Sequence, residues 1–274
     1  MREWEGIDSP NRGRGLPLLE FKNVSKSFFA EGKNIEAIRN VTFSVKEDEF
    51  CCLVGPSGCG KSTLLRMVAG IDRPTEGEIL FHGEPISQPN PKISMIFQTF
   101  ALFPWKTVLE NVEIGLDARG FPKDPRKRRE LSLKYIELVG LEGFEKSYPR
   151  ELSGGMRQRV GIARALVVEP EVLLMDEPFS SLDAMTAETL RKEVLRLWED
   201  PNLPIKTCLM VTHNVLEAVY MADRVIVMSP RPGTVIDDLK IDIPRPRNLK
   251  DPAFFEVHDK IISLISKYTF HPLE

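Results

Sequence analysis

"LVGPSGCGKSTLLRMVAG", residues 53–70, runs from an apolar stretch through a glycine-rich turn into a helix-like pattern. Gly55, Gly60, Lys61 and Ser62 satisfy G-x-x-x-x-G-K-[ST]. Glycines let the backbone curl so that successive N–H groups aim at phosphate oxygens, and the helix that follows adds its positive N-terminal end. Lys61 would reach the terminal phosphates, and the Ser62 hydroxyl would ligate magnesium. At ordinary glycine usage such a pattern arises by chance in roughly 1% of chains this long. Its place between a strand and a helix is the one the mechanism requires. The stretch therefore reads as a nucleotide cradle formed by Gly55, Pro56, Ser57, Gly58, Cys59, Gly60, Lys61, Ser62 and Thr63.

Upstream, "LLEFKNVSKSFF" (18–29) and "NVTFSVKEDEFCCLVG" (40–55) alternate or run apolar like strands, with no long helical pattern between them. Antiparallel strands feeding one buried strand are expected. Downstream, "ISMIFQ" (93–98), "EVLLMDEP" (171–178), "TCLMVTH" (207–213) and "DRVIVMS" (223–229) are short buried-type strands. Helical patterns, including "RRELSLKYIELVGL" (128–141) and "AMTAETLRKEVLRLWED" (184–200), lie among them. The alternation predicts an α/β fold with a mostly parallel sheet and a helical insertion between about residues 99 and 152. "DRVIVMS" is expected to close the core. The proline- and charge-rich stretch from Ser229 to Pro252 places the end of the compact domain near residue 235, with a tail over 236–274.

A magnesium nucleotide also needs a carboxylate at a neighbouring strand end, and "VLLMDE" offers Asp176 and Glu177 there. Asp176 would hold the metal, and Glu177 would orient or deprotonate the attacking water. A helix cap is the structural alternative for such an acidic pair. "LSGGMRQR" (152–159) puts Ser-Gly-Gly directly before a helical run, making a second set of bare N–H groups at a helix start. An ordinary capping turn is the alternative there.

With these pieces in order, residues 18–235 resemble the nucleotide-binding subunit of an ATP-binding cassette (ABC) transporter. The resemblance rests on the cradle, Gln98, "LSGGM" (152–156), "LLMDE" (173–177), "SSLD" (180–183) and His213. It implies a P-loop NTPase (RecA-like) core with an antiparallel β subdomain and an inserted helical subdomain, taking ATP and Mg2+. It gives Glu177, His213 and Gln98 catalytic roles, and Ser62, Gln98 and Asp176 to the metal. Phe28 matches the aromatic that stacks on adenine, with Phe29 beside it as a competitor. A head-to-tail dimer, expected to be of two copies, is also implied: ATP would lie between one cradle and Ser153, Gly154, Gly155 and Asp183 of the other subunit. Two membrane permease subunits would dock from the cytoplasmic side on "TFALFPWKTVLENV" (99–112), through Leu102, Phe103, Pro104 and Trp105. A substrate-binding protein enters only indirectly.

The "LFPW" segment and the tail from Arg231 look like importers of nitrate, sulfonates, taurine or bicarbonate; thiamine-precursor and some metal importers share similar stretches. A soluble ABC ATPase of DNA repair or translation is the rival. Repair members carry a long coiled coil between cradle and "LSGG", where fewer than 100 residues stand here, and translation members usually carry two cassettes. A guanine-nucleotide switch lacks N-K-x-D, because "NLKD" (248–251) has the wrong order.

A net charge of −3 argues against nucleic acid as the main partner. The basic run "PKDPRKRRE" (122–130) reads as a solvated helix start. Cys51, Cys52, Cys59 and Cys208 lack metal-ligand spacing and read as reduced thiols. The N-terminal extension, 1–17, is polar and lacks the apolar stretch of a signal peptide. No apolar run reaches the roughly 18 residues of a membrane span. For a chain without a span of its own, the resemblance implies a peripheral location on the cytoplasmic face of the cell membrane.

Overall fold

The computed structural model describes residues 17–30, 32–120 and 122–270. Of the N-terminal extension only Pro17 falls within that range; Met1 to Leu16 lie outside it. Two sheets carry the chain. Strands β1 (Pro17–Ala30), β2 (Lys33–Lys46), β4 (Glu76–Phe81) and β5 (Glu84–Pro85) form a four-stranded sheet in the order β2-β1-β4-β5, with antiparallel pairing throughout. The second sheet has six strands: β3 (Phe50–Val54), β6 (Ile93–Ile96), β7 (Val172–Asp176), β8 (Thr207–Val211), β9 (Arg224–Met228) and β10 (Val235–Lys240). Its order is β10-β9-β3-β8-β7-β6, parallel except for β10.

Every residue of β3 is buried, because its two faces meet different cores. Cys51 and Leu53 pack with the antiparallel sheet and helix α1 (Lys61–Val68), whereas Phe50, Cys52 and Val54 pack with the helices on the other side. This is why β3, β7 and β8 read as continuous apolar runs and β1 as an alternating one. The four cysteines are buried and free, and burial pushes the thiols of Cys51, Cys52, Cys59 and Cys208 upward, away from reactivity.

Between β6 and β7 lie α2 (Val108–Arg119), α3 (Pro125–Leu138) and α4 (Gly154–Leu166). Thr107 caps α2 through a reciprocal bond pair with Glu110, and Asp124 caps α3 just ahead of its basic first turn. The helical block thus continues past the expected limit at 152, since α4 is its third packed member. Helices α5 (Ala184–Glu199) and α6 (Val215–Met221) complete the parallel-sheet crossovers.

The chain does not leave the core near residue 235, and "DRVIVMS" does not close it. β10 crosses that boundary to pair with β9, and helix α7 (Pro252–Phe270) then packs back with Phe254 and Ile261 fully buried. Between them the buried Arg247 guanidinium donates to the carbonyls of Val219 and Ala222, satisfying acceptors at the end of α6. Charged and proline-rich composition marked a tail. The apolar positions inside it were enough to dock it. Among the described residues no helix is long and apolar enough to cross a membrane.

Candidate functional site

Strand register brings the predicted site residues to one edge. Leu53 pairs with Val211, Asp176 with Val211 and Ile96 with Met175, so Gly55, Asp176, Glu177, His213 and Gln98 all emerge beyond the carboxyl ends of β3, β7, β8 and β6. Ligands bind at this edge of a parallel sheet.

The cradle begins where β3 ends. Gly60 is the N-cap of α1 at φ 98°, left-handed, and no side chain caps the helix. A Cβ at Gly60 would stand 2.6 Å from Ile38 Cγ1, so the position excludes other residues both by backbone and by space. Lys61 is buried, and its Nζ donates to the carbonyls of Gly55 at 2.8 Å and Pro56 at 2.9 Å. A cavity of about 360 Å³ opens over the loop, lined by Ser57, Gly58, Lys61, Glu177, Arg231 and Phe28 among others. Of the two candidate aromatics, Phe28 faces this cavity with the Lys26 ammonium 5.1 Å from its ring centre, whereas Phe29 is 80% exposed and does not line it.

Ser62 Oγ donates to Asp176 Oδ1 at 2.7 Å. Burial raises the Asp176 carboxyl above its ordinary value, and the Ser62 bond opposes that shift. A hydroxyl and a carboxylate held this close fit magnesium, which takes one or two protein oxygens and completes its shell with water and phosphates. Gln98 stands elsewhere. Its Nε2 lies 3.3 Å from both Glu177 Oε2 and Ser180 Oγ, so this geometry sets it beside the Glu177 carboxylate, whereas the sequence reading also gave it to the metal.

Glu177 sits at φ 45°, a strained value for a non-glycine residue, with its N–H bonded to the Val211 carbonyl at 2.9 Å. That twist sends the side chain to His213, whose Nδ1 is 3.0 Å from Glu177 Oε2. The histidine is itself braced. Thr212 Oγ1 donates to the buried Glu217 at 2.8 Å and accepts from Asn214 N at 3.0 Å, while Arg191 on α5 also pairs with Glu217. Glu217 and Arg191 carry no motif, and only their burial and distances mark them.

Ser153 and Asp183 both act as helix caps: Ser153 Oγ accepts from Met156 N, and Asp183 accepts from Thr186 N. Within one chain neither they nor Gly154 and Gly155 line the cradle cavity. Gly155 allows α4 and α5 to approach closely, since a Cβ there would lie 2.6 Å from Thr186 Cγ2.

In the "LFPW" segment Leu102 packs against the core, while Phe103, Pro104 and Trp105 are exposed, Trp105 by 70%. Phe103 and Trp105 meet edge to face at 5.5 Å. The fully buried Asn111 fixes the loop: its Oδ1 accepts from Phe103 N, and its Nδ2 donates to the carbonyls of Phe103, Lys106 and Thr107. Just before it, Phe100 and Ala101 have positive φ, and Arg164 on α4 holds both of their carbonyls. The link from Gln98 to the exposed aromatics is thus tied to the helix that begins at Ser153. Asn111 and Arg164 look like ordinary helix residues in sequence.

Known proteins are similar to this chain in sequence and in fold. The family described as ABC transporter matches residues 38–180. An uncharacterized ABC transporter ATP-binding protein of Methanocaldococcus jannaschii is 47% identical over 254 residues, covering 93% of each chain. The aliphatic sulfonates import ATP-binding protein of Bacillus cereus is 42% identical over 245 residues, 89% of this chain and 94% of that one. The nitrate import ATP-binding protein of a Synechocystis species is 43% identical over 256 residues, 90% and 94% of the two chains. Among solved structures, a dimeric post-hydrolysis state of an ATP-binding cassette bound to ADP and Pi matches with a TM-score of 0.72 and 34% identity, over 82% of this chain and all of that one. By motif order, site geometry and these likenesses, the chain belongs to the ABC transporter family, as one of its ATP-binding proteins.

Proposed function

We propose that this chain hydrolyses ATP to drive an importer of a small anion, with nitrate, sulfonates, taurine and bicarbonate as the candidate class. The carrying observation is Glu177, whose Oε2 is shared by His213 Nδ1 and Gln98 Nε2 one residue beyond the Ser62–Asp176 pair. A carboxylate oriented by two neighbours, beside a hydroxyl–carboxylate pair, is the arrangement a general base needs next to a magnesium nucleotide.

In this reading the cradle residues and Lys61 bind the phosphates and Phe28 stacks on adenine. Ser62 and Asp176 hold Mg2+, which when bound neutralises charge on the phosphate oxygens. Glu177 takes a proton from the attacking water, and His213 and Gln98 keep its carboxylate aimed. The names of the sulfonate and nitrate import relatives support the anion class. Ser153, Gly154, Gly155 and Asp183 serve the ATP held by a second copy, which the dimeric cassette neighbour supports. Exposed Trp105, braced by Phe103 and Asn111, is the anchor for a membrane permease, with two permeases completing the assembly at the cytoplasmic side of the membrane. A substrate-binding protein would deliver the anion to those permeases, never to this chain.

Glu177→Gln should leave ATP binding intact and slow hydrolysis by about 10² or more. It should also accumulate an ATP-dependent dimer on size exclusion. Near-normal turnover would refute the role given to Glu177. For the assembly, Trp105→Ala should cost about 2 kcal/mol of docking to the permeases, read as weaker co-purification from membranes. The isolated chain should keep its melting temperature and ATP affinity.

A further inference from the structure

We propose that Arg231 is a nucleotide ligand: a second cation, besides Lys61, that binds the phosphate chain in the cradle. The inference rests on the reading that the cavity above residues 55–63 takes ATP.

Arg231 follows β9, the strand that flanks β3 on the side opposite β8. Register puts Val54 beside Val227, so the turn after Met228 rises at the same sheet edge as the cradle. Arg231 lines the cavity that Ser57, Gly58, Lys61 and Phe28 line, and its Nε is 3.2 Å from the Gly58 carbonyl. Its Nη2 lies 3.3 Å from where a Cβ on Gly58 would stand.

The turn does not depend on the guanidinium for its shape. Gly233 N donates to the Ala37 carbonyl at 2.9 Å, and Arg39 N donates to the Gly233 carbonyl at 3.0 Å. Ser229 and Thr234 bond to each other through both backbone and side chain. Gly233 is wedged so tightly that a Cβ there would come within 1.9 Å of the Cys59 carbonyl. A turn clamped at once to β2 and to the cradle carries Arg231 as a fixed arm.

Charge supplies the second half of the argument. Among the described residues no carboxylate forms an ion pair with Arg231, whereas Arg159, Arg164, Arg191, Arg224, Arg245 and Arg247 each give an Nη atom to a carboxylate or a backbone carbonyl. With Nε directed to one carbonyl, the two Nη groups remain as a planar fork of donors. A guanidinium has no acceptor, and its geometric match is an oxyanion held by two parallel N–H bonds. In a cavity already built for a triphosphate, that oxyanion is a phosphate oxygen.

The test measures equilibrium binding of ATP, ADP and adenosine to the full chain for wild type, Arg231→Ala, Arg231→Gln and Lys61→Ala, with melting temperatures alongside. Arg231→Gln can still donate to the Gly58 carbonyl but has no charge, so it separates anchoring from anion binding. Both Arg231 variants should bind ATP about tenfold more weakly, the size of one charge-assisted hydrogen bond, with adenosine affinity unchanged. Wild-type ATP affinity in Arg231→Gln would make Arg231 an anchor of the turn and overturn the inference. An equal loss for adenosine would place it on the nucleoside and overturn the phosphate assignment. If Lys61→Ala itself kept wild-type affinity, the cavity reading would fall first; if only Lys61→Ala weakened binding, the inference would fall alone.

Discussion

Two helices of this protein begin beside glycines, and their starts are built in opposite ways. At α1 the N-cap is Gly60, left-handed, with no side chain on the free N–H groups and a buried lysine as the first helical residue. At α4 the N-cap is Ser153, extended, with its hydroxyl already accepting from Met156 N. The first start leaves its N–H groups without a side-chain cap, and only glycine fits the left-handed turn there, where a Cβ would meet Ile38. The second is a well-formed cap that needs no ligand in its own chain. The Ser-Gly-Gly segment is therefore a sound structural element by itself, and the proposed contact with a phosphate brought by another copy would be a second role for it.

The contrast can be broken by substitution. The largest effect should come from Lys61→Ala, which removes the cation at the uncapped start; ATP affinity should fall by about 10² or more, as expected when an electrostatic contact worth several kcal/mol is lost. Unchanged affinity would make α1 no more a ligand site than α4. Mixing Lys61→Ala chains with Ser153→Arg chains comes next. In a head-to-tail dimer one interface carries both lesions and the other carries none, so mixing should restore a fraction of ATPase that neither variant has alone. Failure of rescue, with both variants folded, would put the two helix starts on one nucleotide within one chain.

Smaller effects sharpen the comparison. Gly60→Ala forces an L side chain into left-handed backbone and towards Ile38, and should lower stability by about 1–3 kcal/mol in denaturant unfolding. A neutral result would mean the cradle's backbone relaxes freely. Ser153→Ala should cost the least, about 1 kcal/mol for one lost cap, with ATP affinity of the isolated chain unchanged. A loss of binding there would show that α4 serves its own chain's nucleotide.

The glycine pattern with Lys61, the acidic pair after β7, the apolar runs of the parallel strands and the alternation of β1 are local signals. Each was legible because its chemistry fits within about ten consecutive residues, the scale on which backbone conformation and side-chain periodicity are written. The resemblance pointed to Phe28, but strand alternation alone did not decide between Phe28 and Phe29, because bulges in the β1–β2 register shift the parity. The tail was misread for a related reason. β10 and Arg247 are stabilised by partners on β9 and α6, and nothing in the spacing of prolines and charges between 229 and 252 encodes those partners. Asn111, Arg164, Glu217 and Arg231 were silent in sequence as well. Their roles depend on which carbonyl, hydroxyl or cavity the folded chain sets within hydrogen-bond reach. Arg231 is separated from Gly58 by more than half the length of the chain. Motif chemistry is thus a property of contiguous residues, whereas bracing and charge placement are properties of sheet order, which sets β9 beside β3 although most of the chain lies between them in sequence.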